Sequence, residues 1–167
     1  MRREGNMSDS GQEAVRSGNV LHEMVATTFR CRNVPVIDYG SGNGDTRDMF
    51  SKKVLVRDDP YTSIYGCKTK SDFVFAADSV ALLRIECVAQ HSTGTVDEKF
   101  PYLFHNAKDA MPERHVWIIL DGNGMRPGAR SWLKRQVGSG FPSKEIRVLS
   151  VAEAQAEIKK LIDLGHP

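Results

Sequence analysis

Asp72 and Glu86 are the residues whose type and spacing most directly suggest chemistry. Asp72 precedes Ser79 by seven residues and Glu86 follows it by seven. The stretches from Asp72 to Ala76 and from Val80 to Gln90 are both rich in β-formers, and Asp78-Ser79 stands between them as a turn. That pattern predicts a hairpin. Folding it about Ser79 sets Asp72 close to opposite Glu86, with Cβ atoms roughly 4.5–5.5 Å apart. Two carboxylates that close repel each other unless something positive sits between them. Mg²⁺ or Mn²⁺ would serve, because hard divalent ions prefer oxygen ligands. The plain alternative is a pair of acids on a solvated sheet face in coincidental register. Strand alternation puts Glu86, Val88 and Gln90 on one face.

Other segments must position that hairpin. Apolar residues at helical spacing (Leu21, Met24, Val25 and Thr28) predict a helix from Gln12 to Arg32, with residues 1–11 polar and loose. Val34 to Tyr39 reads as a short strand leading into the glycine turn Gly40 to Gly44, and Val54 to Arg57 as another strand, ended by Asp59-Pro60. Tyr65 to Lys70 is expected to be a basic loop. Beyond the hairpin, Thr95-x-x-Glu98 has the form of a capping box for a helix running to Met111, with Phe100, Leu103, Phe104, Ala107 and Met111 on one stripe. Val116 to Leu120 is a continuous apolar run of the kind a fully buried strand shows. A short basic helix (Gly128 to Val137), a strand (Ile146 to Val151) and a last helix capped by Ser150-x-x-Glu153 complete the chain. The expected fold is a single α/β domain over residues 12–167, a mixed β-sheet flanked by helices.

Composition narrows the partners. The formal net charge of +2 means that any nucleic-acid contact must come from a local patch. Lys68 and Lys70 at the entry to the hairpin form one candidate. Arg126, Arg130, Lys134 and Arg135 around the short helix form another, suited to phosphate contacts. Surface solubilisation is the ordinary alternative for such clusters. Three widely spaced cysteines without a C-x-x-C pair read as reduced thiols in a cytoplasmic protein, with no zinc site expected from them. No apolar run approaches the roughly 18 residues of a membrane span.

The segments Ser71-Asp72-Phe73, Arg84-Ile85-Glu86-Cys87-Val88-Ala89-Gln90 and Gly94-Thr95-Val96-Asp97-Glu98-Lys99-Phe100-Pro101-Tyr102 together resemble the active-site core of the PD-(D/E)xK superfamily of restriction-endonuclease-like nucleases. The likeness extends over roughly residues 61–137, and the element order resembles the same core. The resemblance implies metal-dependent hydrolysis of DNA, with Asp72 and Glu86 as ligands of Mg²⁺ or Mn²⁺ and the carbonyl of Cys87 as a third. It also implies Glu23 on the first helix as an extra acid that some members use, against an ordinary helix-surface glutamate. A homodimer is an assembly the reading leaves open. One position departs from the family pattern: a lysine is expected two residues after the glutamate, and Val88 stands there. Valine has no polar atom. Lys99 is the nearest substitute, and Gln90 could position a water. The departure raises a second reading, a DNA-binding or regulatory module of the same fold that has lost catalysis. A third rests on Val36-Ile-Asp-Tyr-Gly-Ser-Gly-Asn-Gly44, which looks like the first motif of S-adenosylmethionine-dependent methyltransferases. A glycine turn of this kind is weak evidence alone, and the chain is short for that fold.

Overall fold

A computed structural model describes residues 9–41 and 53–164, with the side chains of the first helix described from Gly18. Four helices flank one six-stranded sheet. The helices are α1 (Asp9–Arg30), α2 (Phe100–His105), α3 (Pro127–Gly138) and α4 (Val151–Leu164). The strands are β1 (Val36–Asp38), β2 (Val54–Thr62), β3 (Lys68–Ala77), β4 (Val80–Ala89), β5 (His115–Asp121) and β6 (Glu145–Ser150). They lie side by side in chain order. β2, β3 and β4 form an antiparallel meander, while β1 joins β2, β5 joins β4, and β6 joins β5 in parallel. The mixed α/β architecture expected from the sequence is therefore present. No helix among the described residues is long and apolar enough to cross a membrane.

Alternation along the strands divides the interior in two. Phe73, Phe75, Leu83, Ile85, Trp117 and Ile119 face one side and pack on α1 and α4 through Leu21, Val25, Phe29, Ile158 and Leu161. Val116, Ile118 and Leu120 face the other, against Phe100, Phe104, Met111 and Leu133. Burial of each such side chain stabilises the fold by about 1.5–3 kcal/mol relative to its exposed state, so a slip of β4 by one residue would exchange core and polar faces at great cost.

The register that matters is set by an irregularity. Asp78 and Ser79 both take positive φ, 50° and 64°, which is the signature of a two-residue type I′ hairpin turn. Ala77 pairs with Val80 and Ala76 with Ala81, but Phe75 then pairs with Leu83. Leu82 is thus the extra residue of a β-bulge. A regular ladder from that turn would have set Ile85 across from Asp72. The bulge moves the count by one, Phe73 faces Ile85, and the next step outward is Asp72 and Glu86. Continued one step past the last paired residues, this register points Asp72 toward Glu86, by way of a bulge that the simple fold about Ser79 had not contained.

Other boundaries differ from the sequence reading for identifiable reasons. β2 continues through Asp59-Pro60 to Thr62, with Pro60 paired to Lys70. Proline is tolerated there because β1 reaches only to Arg57, leaving β2 an outer edge. Lys68 and Lys70 therefore lie on β3, not in a loop. The helix expected from Thr95 to Met111 is three pieces: a 3₁₀ turn (Val96–Lys99), α2, and a π-helical turn (Asn106–Ala110). Thr95 makes no side-chain cap. Gln90 Oε1 takes the Val96 N–H instead, and Glu98 turns to Arg126. The second capping box does form, as Glu153 Oε2 accepts the Ser150 N–H at 2.7 Å and Ser150 Oγ accepts the Glu153 N–H. Of the glycine turn, only Gly40 and Ser41 fall among the described residues. The antiparallel meander at the centre of the sheet does not fit the doubly wound parallel sheet that a cofactor-binding glycine turn serves.

Candidate active site

Asp72 sits where the sheet loses its regular pairing on both sides. On the β2 side the ladder pairs Arg57 with Phe73 and Asp59 with Ser71, skipping Asp58, whose φ is +55°. On the β4 side it ends at Phe73 and Ile85. Beyond that point the Cys87 N–H donates to the Asp72 carboxylate, Oδ2, at 2.6 Å. An extended residue sends its own N–H and C=O out along the same edge. The Cys87 carbonyl therefore leaves β4 on the Asp72 side, while the other edge of β4 is paired to β5 as far as Ala89.

The open edge is the floor of a cleft of about 350 Å³ between α1 and α2. Asp72, Cys87, Val88 and His22 line it, with Lys99 and Tyr102 on the α2 side. A second hollow of about 340 Å³ shares Asp72 and His22 and contains Glu23, Asp38, Arg57 and Asp58. Asp72 is thus the residue at which two concavities meet.

Glu86 lies on the opposite sheet face from Ile85 and Cys87. Its Oε1 is buried with no hydrogen-bond partner. Burial, and then the charge of Asp72, push its carboxyl well above the usual carboxylate range. Tyr61 is itself held protonated by burial and next by the negative charge of Glu86. Burial first, then Asp72 and Glu86, raise the Cys87 thiol. Burial is the largest cause of all three shifts, with neighbouring acids adding to it and Arg84 opposing it at Glu86 and Tyr61. A divalent ion fits that donor set. The orphaned Glu86 oxygen, the Asp72 carboxylate and the outward Cys87 carbonyl are hard oxygen donors of the kind Mg²⁺ and Mn²⁺ take.

The other expected site residues are placed as follows. Val88 packs against the apolar cluster on the α2 side and forms cleft wall. Lys99 is exposed on that same wall. Gln90 is held at both ends, by the Val96 N–H at Oε1 and by the Gly124 carbonyl from Nε2 at 3.1 Å. Its amide ties the end of β4 to two loops. Glu23 bonds Arg30 and, at 3.0 Å, Arg57, and the Arg30 contact first holds its carboxyl below the usual range. Lys68 and Lys70 are exposed at the start of β3. Arg126 precedes α3 and is already engaged by Asp97 and Glu98 at 3.1 and 3.0 Å. Arg130 donates to the Gly122 carbonyl. With Lys134, it lines a separate hollow beside β6, and Arg135 is exposed on the same helix.

The sequence reading passed over His22. Its Nε2 lies 3.2 Å from Asp72 Oδ1, and its ring stands edge-on to Phe73 at 5.8 Å. The Asp72 hydrogen bond raises its pKa, against burial. A signal was present, since positions 22, 25, 26 and 29 form one helical stripe, and Val25, Ala26 and Phe29 are fully buried. A histidine on a core-facing stripe needs a polar partner inside.

A bulged meander with two acids at its open end, backed by one helix and faced by another, agrees with the result of family comparison. The profile of the PD-(D/E)XK nuclease superfamily domain matches residues 13–162. The chain belongs to the PD-(D/E)XK nuclease superfamily. The match takes in most of α1, the whole sheet and most of α4, so the restriction-endonuclease-like fold extends across nearly all of the described chain. No curated protein and no solved structure matches the chain. Within the superfamily, divalent metal and nucleic acid are the expected company of such a domain, and the match carries nothing on a homodimer.

Proposed function

We propose that this chain is a cytoplasmic nuclease that hydrolyses DNA phosphodiester bonds with Mg²⁺ or Mn²⁺ held by Asp72, Glu86 and the carbonyl of Cys87. The observation that carries the reading is the unpartnered buried acid where the ladder between β3 and β4 ends. Glu86 Oε1 is buried without a partner, and Asp72 adjoins it on the neighbouring strand. A divalent ion there would polarise the scissile phosphate and acidify a water molecule. The chain's own residues supply position. The Cys87 N–H fixes the Asp72 carboxylate, an arrangement that orients a ligand before binding. Lys99 lies across the cleft, on the wall a phosphate would pass, and takes the charge-balancing part that Val88 cannot. Lys68 and Lys70 extend a basic edge from β3, and Arg130, Lys134 and Arg135 offer further phosphate contacts from α3.

The second reading keeps the fold and nucleic-acid binding without catalysis. Val88 favours it, because that side chain is committed to the apolar cluster where a motif lysine would stand. Cleavage of supercoiled plasmid with Mg²⁺ or Mn²⁺, run beside Asp72→Ala, separates the two. Metal-dependent nicking that disappears in the variant supports the nuclease. Tight duplex binding with no cleavage under either ion supports the binding module.

A further inference from the structure

We propose that His22 Nε2, Asp72 and Cys87 Sγ together form a transition-metal site that takes Zn²⁺ or Co²⁺ in preference to Mg²⁺. The site shares Asp72 with the proposed oxygen-donor set but not Glu86, and it rests on the nuclease reading for the ion's role. One nitrogen, one carboxylate oxygen and one sulfur lie within 4.8 Å of one another. Ligands around a tetrahedral zinc, at bond lengths of about 2.0–2.3 Å, stand roughly 3.3–3.8 Å apart. The three atoms therefore have about 1 Å to close to share one ion.

Three features argue that these side chains are set for an ion. The edge-on contact with Phe73 holds the His22 ring, and the Cys87 N–H fixes Asp72. Outer contacts of this sort orient the ligands of metal centres. All three residues line the same cleft, which leaves a path of entry and an open coordination position for water or substrate. The donor set is also of mixed softness. Imidazole and thiolate suit Zn²⁺ and Co²⁺, whereas Mg²⁺ demands oxygen ligands in octahedral array. Binding releases the thiol proton, and any proton on the imidazole, to solvent as the metal takes the sulfur and nitrogen lone pairs.

The competing account is that protonated His22 serves only as the cation beside Asp72. The two differ in what removal of His22 does to metal affinity. The experiment uses the whole chain, stripped of metal and titrated with Co²⁺ by absorption and with Zn²⁺ and Mg²⁺ by calorimetry, alongside His22→Ala and Cys87→Ser. Circular dichroism checks that each variant is folded. The expected result is an ultraviolet sulfur-to-cobalt charge-transfer band in the natural chain that vanishes in Cys87→Ser. Zn²⁺ affinity should fall by about tenfold or more in each variant, with Mg²⁺ affinity little changed. A cobalt complex without the sulfur band would overturn the assignment. Zn²⁺ binding that is unchanged or tighter in His22→Ala would do the same and favour the counter-cation. Cleavage supported by Mg²⁺ together with a failed cobalt test leaves the nuclease standing and removes this site. A positive cobalt test with no cleavage under any ion leaves the site and removes the nuclease.

Discussion

Glu86→Met should make the metal-free protein more stable and the metal-bound protein inactive. Glu86 Oε1 is buried and bonded to nothing, and an unsatisfied buried polar group costs about 1–3 kcal/mol. Methionine has similar length and no charge to desolvate, so the replacement recovers that cost. In a chain of this size each kcal/mol moves the melting temperature by about 2–4 °C, so a rise of roughly 3–10 °C is expected. The sign with pH follows from the raised carboxyl. Above the ordinary value of 4.5 the unfolded chain gives up the Glu86 proton while the folded chain retains it. The folded state then binds more protons, and stability attributable to this group falls as pH rises from that value until the folded carboxyl itself ionises. The advantage of Glu86→Met should therefore be smallest near pH 4.5 and grow toward neutrality. Divalent metal reverses the ranking. An ion at one hundred times its dissociation constant stabilises the folded state by about 2.7 kcal/mol, and only the natural chain has the full ligand set. Thermal unfolding of both proteins at acid and neutral pH, with and without Mn²⁺, tests all of this. A variant less stable than the natural chain at every pH, or one stabilised equally by Mn²⁺, would refute the argument that Glu86 is held unpaired for an ion.

Val88 and Lys99 make a second test. If Lys99 supplies the missing cation, Lys99→Ala should reduce plasmid cleavage by about 10²–10³, the usual loss for one electrostatic contact in a transition state, while Val88→Lys adds little. If no cation is supplied, Val88→Lys should raise cleavage and Lys99→Ala should leave it unchanged. Arg84→Met addresses the fold. Arg84 is fully buried between Asp59 and Glu113. Removing one partner of a buried charge network costs about 3–5 kcal/mol, which urea unfolding should show as a lower midpoint; an unchanged midpoint would mean that the acids find other partners.

The hairpin that carries Asp72 and Glu86 was legible because its signal is local. Two β-rich runs and a turn suffice to predict it, whereas the register of Asp72 toward Glu86 depends on the bulge at Leu82, and the motif beyond them supports the family. What the sequence withheld depends on contacts distant along the chain. Nothing near Thr95 says that Gln90 will take the Val96 N–H and leave the capping box unmade. Asp59-Pro60 has the form of a strand terminator, and only the short reach of β1 lets β2 run through it. Glu23, weighed against an ordinary surface glutamate, lies in the hollow beside Asp72. Glu23 spends its carboxylate on Arg30 and Arg57, whereas His22, one position earlier and therefore about 100° around the helix, meets Asp72. Periodicity marks which stripe is buried, and reading the single polar member of that stripe would have pointed to His22.

Arg84 and Glu86 show most directly that the unpaired acid is not loose construction. They are two residues apart on β4 and face the same side of the sheet. Around Arg84 the accounts close completely. Its five N–H groups reach both Glu113 oxygens, the Asp59 carboxylate and carbonyl, and Ser71 Oγ, and Tyr61 lies over the guanidinium at 5.2 Å. A fold that satisfies every donor of a buried guanidinium has the means to satisfy a glutamate one step along the same face. It leaves Glu86 with a bare oxygen, and it spends a backbone N–H on fixing the neighbouring Asp72. Regular pairing is also interrupted beside Asp72 on β2, where Asp58 takes positive φ, while the Leu82 bulge on β4 lies nearer the hairpin turn. Each departure carries a cost in stability, and Asp58 and Asp72 share one hollow while Asp72 and Cys87 share the adjoining cleft. Strain and an unpaired buried acid beside a cleft are features that binding sites show, and a bound cation is the occupant that the proposed reading assigns to them.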